Sequence, residues 1–206
     1  MYKNFVKRLL DIVISLIALP FVGLAILVFG PIIYLTDKGP IFYIAPRRGM
    51  HGKTFRMFKL RSMKVNAPVL KNADGSTYSG DDDPRVTKIG RLMRKLSIDE
   101  LPQILNVLKG DMSFVGPRPH LATGNYAEFD EQRKKRLEVR PGITGYSQAY
   151  FRNSITQDEK RANDCYYVDN ISFMFDVKIM IQTVMSVLGS KNINYKESTQ
   201  NKDVAQ

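Results

Sequence analysis

Cysteine is nearly absent from this sequence. Cys165 is the only one in 206 residues, so no intrachain disulfide can form and nothing points to an oxidising compartment. Histidine is almost as scarce, and His51 and His120 stand alone without zinc-ligand spacing. Acidic residues are outnumbered, 20 Asp and Glu against 31 Lys and Arg, leaving a formal charge of +11 that favours a polyanionic partner: anionic lipid, nucleic acid or nucleotide phosphate. There is no internal repeat, and no stretch has the alternating oxygen ligands of a calcium loop. The length suffices for one domain with an appendage and a substantial core.

Long hydrophobic runs are missing too, with one exception. Ile12 to Thr36 is 25 residues without a formal charge, more than the ~20 a helix needs to cross a bilayer. The run is too long for a signal peptide and lacks a small-residue cleavage site, so it reads as a retained anchor over residues 1–38. Both flanks are basic, with Lys3, Lys7 and Arg8 before it and Lys38, Arg47 and Arg48 after it. Basic flanks stay on the cytoplasmic side, so a straight span would strand one cluster on the wrong face. A helix bent at Pro20 that enters and leaves by the same face satisfies both flanks. The alternative is a single straight span with a tolerated proline.

From Gly39 onward the pattern predicts a compact catalytic domain over residues 39–189. Pro40 to Ile44 and Thr54 to Leu60 read as strands of a hairpin around a glycine-bearing loop. Basic and aromatic residues interleave here, as on a single-strand nucleic-acid surface, but no complete RNA-binding signature accompanies them and the adjacent anchor makes lipid headgroups the nearer phosphate. Nucleic acid is therefore set aside as a partner, and Lys59 and Arg61 are singled out. Asp81-Asp82-Asp83-Pro84 reads as a turn. Val86 to Leu96 reads as a basic amphipathic helix, suited either to the bilayer interface or to a core.

The densest chemistry lies in Lys95 to Pro119, KLSIDELPQILNVLKGDMSFVGPRP. Ser97-Ile98-Asp99-Glu100 matches a helix capping box, but Pro102 would then fall at the fifth helical position, where its ring clashes. Pro102 fits better as the first residue of a helix to Leu108, leaving Asp99 and Glu100 just outside its positive end. Two adjacent carboxylates near a phosphate repel each other and need cations. Arg94, Arg118 of the Gly-Pro-Arg-Pro loop and a Mg²⁺ ion would supply them.

This run, with Asp83-Pro84-Arg85-Val86 before it and Arg140-Pro141-Gly142-Ile143-Thr144-Gly145 after it, resembles the bacterial sugar transferases, the monotopic phosphoglycosyl transferases. The resemblance reaches from the anchor to about Gly189. It implies an α+β, mostly helical fold with a re-entrant N-terminal helix, a small hairpin and interface helices around a cytoplasmic active site on the bacterial inner membrane. It implies Mg-dependent, ping-pong transfer of a phospho-sugar from a UDP-sugar to polyprenol phosphate, at the start of surface-glycan assembly. Asp99 would be the nucleophile and a magnesium ligand, Glu100 its neighbouring acid with a share in metal binding or base catalysis, and Lys59 and Arg118 phosphate contacts. Family members commonly break the anchor at a Ser-Pro pair. Here Leu19 precedes Pro20, which lies about one turn of ~3.6 residues earlier.

The remaining sequence predicts helices over Asn125 to Val139, Gln157 to Val168 and Ile171 to Leu188, the last interrupted by Asp176, Lys178 and Gln182 and so a core or interface helix. The Arg140 to Gly145 turn is a candidate for holding the nucleotide, or simply a loop. Residues 190–206 read as a disordered tail. The competing function is a membrane-tethered basic binding protein, which explains charge and anchor but not the acid pair. The sugar and the oligomeric state stay open, a homodimer among the options.

Overall fold

The computed structural model describes residues 1–70, 78, 80, 83–151 and 154–188. Aspartates 81 and 82 and the tail from 190 lie outside the described residues. The uncharged N-terminal run forms α1 (Lys7–Asp37), preceded by a wider helical turn at Tyr2–Val6. At 31 residues and ~1.5 Å each, α1 is about 46 Å long, with Pro20 and Pro31 inside it. Its buried residues Asp11, Ser15, Val22, Ala25, Gly30 and Ile33 fall on one stripe. The opposite stripe, including Leu16, Phe21, Leu24, Leu27 and Leu35, is exposed.

Both ends of α1 are fastened to the same body. At the start, Tyr2 Oη and Lys7 Nζ donate to the buried Asp176 Oδ2 at 2.6 and 2.5 Å, and Asp11 Oδ1 accepts from Ser113 Oγ and Phe114 N, each at 3.0 Å. At the end, Asp37 Oδ1 pairs with Arg61 at 2.5 Å, and Arg61 also donates to the Ile33 carbonyl at 3.0 Å. Arg61 is thus bound up with the end of α1.

β1 (Phe42–Arg48) and β2 (Thr54–Leu60) form the expected antiparallel hairpin, in register Phe42↔Leu60 to Arg48↔Thr54. β1 runs past the predicted Ile44 to Arg48, through Pro46, which a two-stranded ribbon tolerates because each strand is an edge. α2 (Lys88–Lys95) turns Met93 wholly into the core with Leu60 and Ile33, while Leu92 and Leu96 stay exposed. Asp83, fully buried, accepts from the Arg85 side chain and backbone and so serves the turn before α2.

α3 (Gln103–Lys109) follows, with Pro102 one position earlier than expected, at the N-cap. β3 (Ser113–Val115) pairs in parallel with β4 (Gly142–Thr144), two strands that the sequence reading did not identify. The helix expected from Asn125 to Val139 is instead a short turn at Tyr126–Glu128 and α4 (Glu131–Lys135). Asn125 and Asp130 each accept a backbone N–H, from Ala127 and Arg133, and start a new cap rather than continuing one helix. α5 (Tyr146–Tyr150), α6 (Gln157–Asp169) and α7 (Phe173–Leu188) complete the fold, packing Tyr167, Val168 and Ile179 around Val115 and Val139.

Candidate active site

Asp99 and Glu100 lie on a single tight turn, Ile98–Glu100, between α2 and α3. Ser97 adopts a left-handed conformation (φ 57°) and makes no side-chain cap, so the capping-box pattern serves a chain reversal instead. The reversal presses the turn against β2, whose inner face carries Phe55, Met57 and Lys59. Lys59 Nζ meets Glu100 Oε1 at 2.5 Å. Behind them Asn106, with no exposed surface, accepts from Phe58 N at 2.9 Å and donates to the Arg56 carbonyl at 2.8 Å. This polar residue inside the apolar run QILNVLK clamps α3 to β2 and sets the height of Lys59.

The two carboxyls are driven apart electrostatically. Burial and then the Glu100 charge raise Asp99 above the ordinary aspartate value, against the pull of Lys59 and Arg94. Burial also pushes Glu100 up, but Lys59, Arg118 and Arg94 together outweigh it and hold Glu100 below its usual value. Asp99, 7% exposed, takes no side-chain donor among the described residues. A buried carboxylate that takes only a backbone N–H and no side-chain donor, next to a second carboxylate, fits a divalent cation held by one or two carboxylates and substrate phosphates. Among the described residues no group of three or more His, Cys, Asp or Glu forms a protein-only cage.

Arg94 Nε donates to Ser62 Oγ at 2.9 Å, aiming the guanidinium from α2 into the field of both acids. Arg118 is exposed on the loop that follows β3, and its charge reaches Glu100. That loop is braced by β4: Gly116 N donates to the Thr144 carbonyl and Gly142 N to the Pro117 carbonyl, both at 2.9 Å. A Cβ on Gly142 would sit 2.2 Å from Gly116 N, so the Arg140 to Gly145 segment lets the two backbones touch. Arg140 itself points elsewhere, its Nε donating to the Gly110 carbonyl at 2.9 Å at the far end of α3 from Asp99. Arg8 joins it there, bonding the Val107 and Leu108 carbonyls at 2.5 and 2.8 Å. Pro20 lies on the exposed side of α1.

Arg47 escaped the sequence reading of this site. It stands on the same hairpin face as Lys59, its Nε is buried without a partner, and burial together with the nearby Arg118 lowers its pKa. Its position in a basic run concealed it; only the strand alternation turns it inward.

A sequence profile described as bacterial sugar transferase matches residues 2–190. A relative named uncharacterized sugar transferase EpsL, from Bacillus subtilis, is 43% identical over 91% of this chain and 89% of its own length. The UDP-N-acetylgalactosamine-undecaprenyl-phosphate N-acetylgalactosaminephosphotransferase of Aeromonas hydrophila is 38% identical over 89% of this chain and 44% of its own length. The UDP-glucose:undecaprenyl-phosphate glucose-1-phosphate transferase of Escherichia coli is 38% identical over 88% of this chain and 40% of its own length. This chain therefore spans less than half the length of those last two relatives.

Proposed function

Because the chain belongs to the bacterial sugar transferase family, we propose that it transfers a sugar 1-phosphate from a UDP-sugar to undecaprenyl phosphate, the acceptor that its relatives' names carry. The observation that carries this reading is the pair of the buried Asp99 and the half-buried Glu100 facing Lys59, Arg94 and Arg118.

In the first step an Asp99 carboxylate oxygen attacks the donor's β-phosphorus. The bond from that phosphorus to the bridging oxygen breaks, and UMP leaves with the electron pair. In the second step an oxygen of the lipid phosphate attacks the same phosphorus and frees Asp99, giving a polyprenyl diphosphate sugar. Lys59 and Arg118 neutralise charge on the transferred group, and Glu100, kept ionised, is the local acceptor for a proton from the lipid phosphate. Asp99 and Glu100 would hold a magnesium ion, which supplies charge neutralisation at the phosphates. Arg140, at the other end of α3 beside Arg8, would meet a lipid phosphate rather than the nucleotide.

The same reading makes α1 re-entrant in the inner membrane, with the catalytic body on the cytoplasmic face. Its support is that a helix of apolar outer face is tied at both ends to one polar body. The test is UMP release from a panel of UDP-sugars by detergent-solubilised protein with Mg²⁺. Continuous release only with lipid phosphate, a single-turnover burst without it, and neither in Asp99→Asn are expected. Wild-type turnover by Asp99→Asn overturns the nucleophile.

A further inference from the structure

The first turns of α1 hold β3, the strand that leads into the Arg118 loop. Asp11 is 4% exposed, and its Oδ1 accepts from both Ser113 Oγ and Phe114 N, each at 3.0 Å. Burying a carboxylate is costly unless donors meet it, and the donors that meet Asp11 belong to β3. One residue further along the strand, the Val115 carbonyl faces Tyr167 Oη at 3.2 Å, and the same hydroxyl donates to Asp176 Oδ1 at 2.7 Å. The other oxygen of Asp176 is the one that Tyr2 and Lys7 hold. That hydroxyl has a single proton, and the shorter contact with the charged acceptor takes the larger share of it, so Asp11 is the firmer of the two attachments.

From Phe114 the chain takes four residues to reach Arg118. Val115, Gly116 and Pro117 between them are buried, while Arg118 is exposed. Pro117 and Pro119 flank the arginine, and a proline ring fixes its own φ and has no N–H to give. The loop therefore has little freedom to bend away from the strand that carries it. β4 braces it through Gly116 N and the Pro117 carbonyl, and Asp11 braces the strand just before it. A shift of β3 against α1 is thus passed on to the Arg118 guanidinium, whose charge acts on Glu100.

We propose that Asp11 is a positioning residue for Arg118: through β3 it sets where the loop presents its guanidinium to the transferred phosphate. The inference rests on the transferase reading and extends it to α1. Seating of the first turns of that helix and placement of a phosphate-binding arginine then belong to one structure, with Tyr2 and Lys7 supporting the second attachment through Asp176.

The experiment is a double-mutant cycle on the full chain in detergent with Mg²⁺. Asp11→Ala, Asp11→Asn and Ser113→Ala are each made with Arg118 in place and with Arg118→Ala, and the second-order constant for UMP release in a single turnover is measured with radiolabelled UDP-sugars. Asp11→Ala is expected to lower that constant at least about tenfold, and Asp11→Asn, which keeps an oxygen acceptor for both donors, to recover most of the loss. In the Arg118→Ala background the same changes are expected to alter it by less than about twofold. Equal losses in both backgrounds would mean that Asp11 supports the fold at large, and they overturn the positioning role, as does the absence of a loss in Asp11→Ala with Arg118 in place. If Asp11→Ala does not fold, Ser113→Ala decides: a loss of about threefold or more that vanishes with Arg118→Ala supports the role, and no loss, or an equal loss in both backgrounds, overturns it. These negative results leave the transferase reading standing, because the wild type still releases UMP. No UMP from the wild type with any donor overturns that reading and the positioning role with it.

Discussion

A carboxylate that attacks phosphorus must first lose its proton, and the surroundings of Asp99 work against that loss. Burial and Glu100 hold the proton on, while Lys59 and Arg94 pull it off. The donor half-reaction should therefore have an acid limb above the ordinary aspartate range, falling away as pH drops through the raised value. Lys59→Met keeps the aliphatic stem and removes the charge, so it should move that limb to still higher pH and lower the burst rate at pH 7 by about tenfold to a thousandfold. UMP bursts measured from pH 4 to 9 check this, and a limb that shifts downward in the variant contradicts the electrostatic account. Asp99, Glu100 and Arg118 were legible in the sequence because they sit within one local run whose proline and glycines fix the turns. Arg47 and Asn106 were not, because what surrounds them comes from elements far away in sequence: the like charge of Arg118 beside Arg47, and the backbone of β2 against Asn106.

At the scale of elements, sequence pattern succeeded where one face is apolar and failed where short polar side chains compete with the backbone. α6 and α7 fall within two residues of their predicted starts. The Asn125 to Val139 segment broke up because Asn125 and Asp130 each opened a cap. The parallel pairing of β3 and β4 could not be seen in strings of three residues, though the glycines at 116, 142 and 145 mark where backbones meet. α1 poses the functional question. In a membrane-crossing orientation the Asp37–Arg61 pair and the Asp176 cluster would lie on opposite faces of the bilayer, yet both belong to one body. In a Cys165→Ser background, Lys3→Cys and Lys64→Cys should both react with a membrane-impermeant maleimide in inverted vesicles and neither in intact spheroplasts. Labelling on opposite sides would make α1 a true span and leave one attachment impossible.

For the molecule as a whole, α1 and the rest of the chain share a core. Ile33 packs with Leu60 and Met93, Asp11 satisfies Ser113 and the Phe114 backbone, and Lys7 neutralises the buried Asp176. Deleting residues 1–38 would therefore reach into the core of the protein. It would leave a buried aspartate without its lysine, which alone costs about 3–5 kcal/mol, and uncover the apolar side of Leu60 and Met93. Total stability is of order 5–15 kcal/mol for a domain of this kind, so the combined loss is on the scale of the whole fold. The 39–206 fragment is expected to be insoluble or to lack a cooperative thermal transition even in detergent, while the full chain in the same detergent melts cooperatively. A soluble fragment with a sharp transition, binding UMP as the full chain does, would show that α1 is only a tether. The opposite result would mean that withdrawal from the bilayer and loss of the Asp99 geometry are the same event, since α1 packs on α3, the element that begins where the acid pair ends.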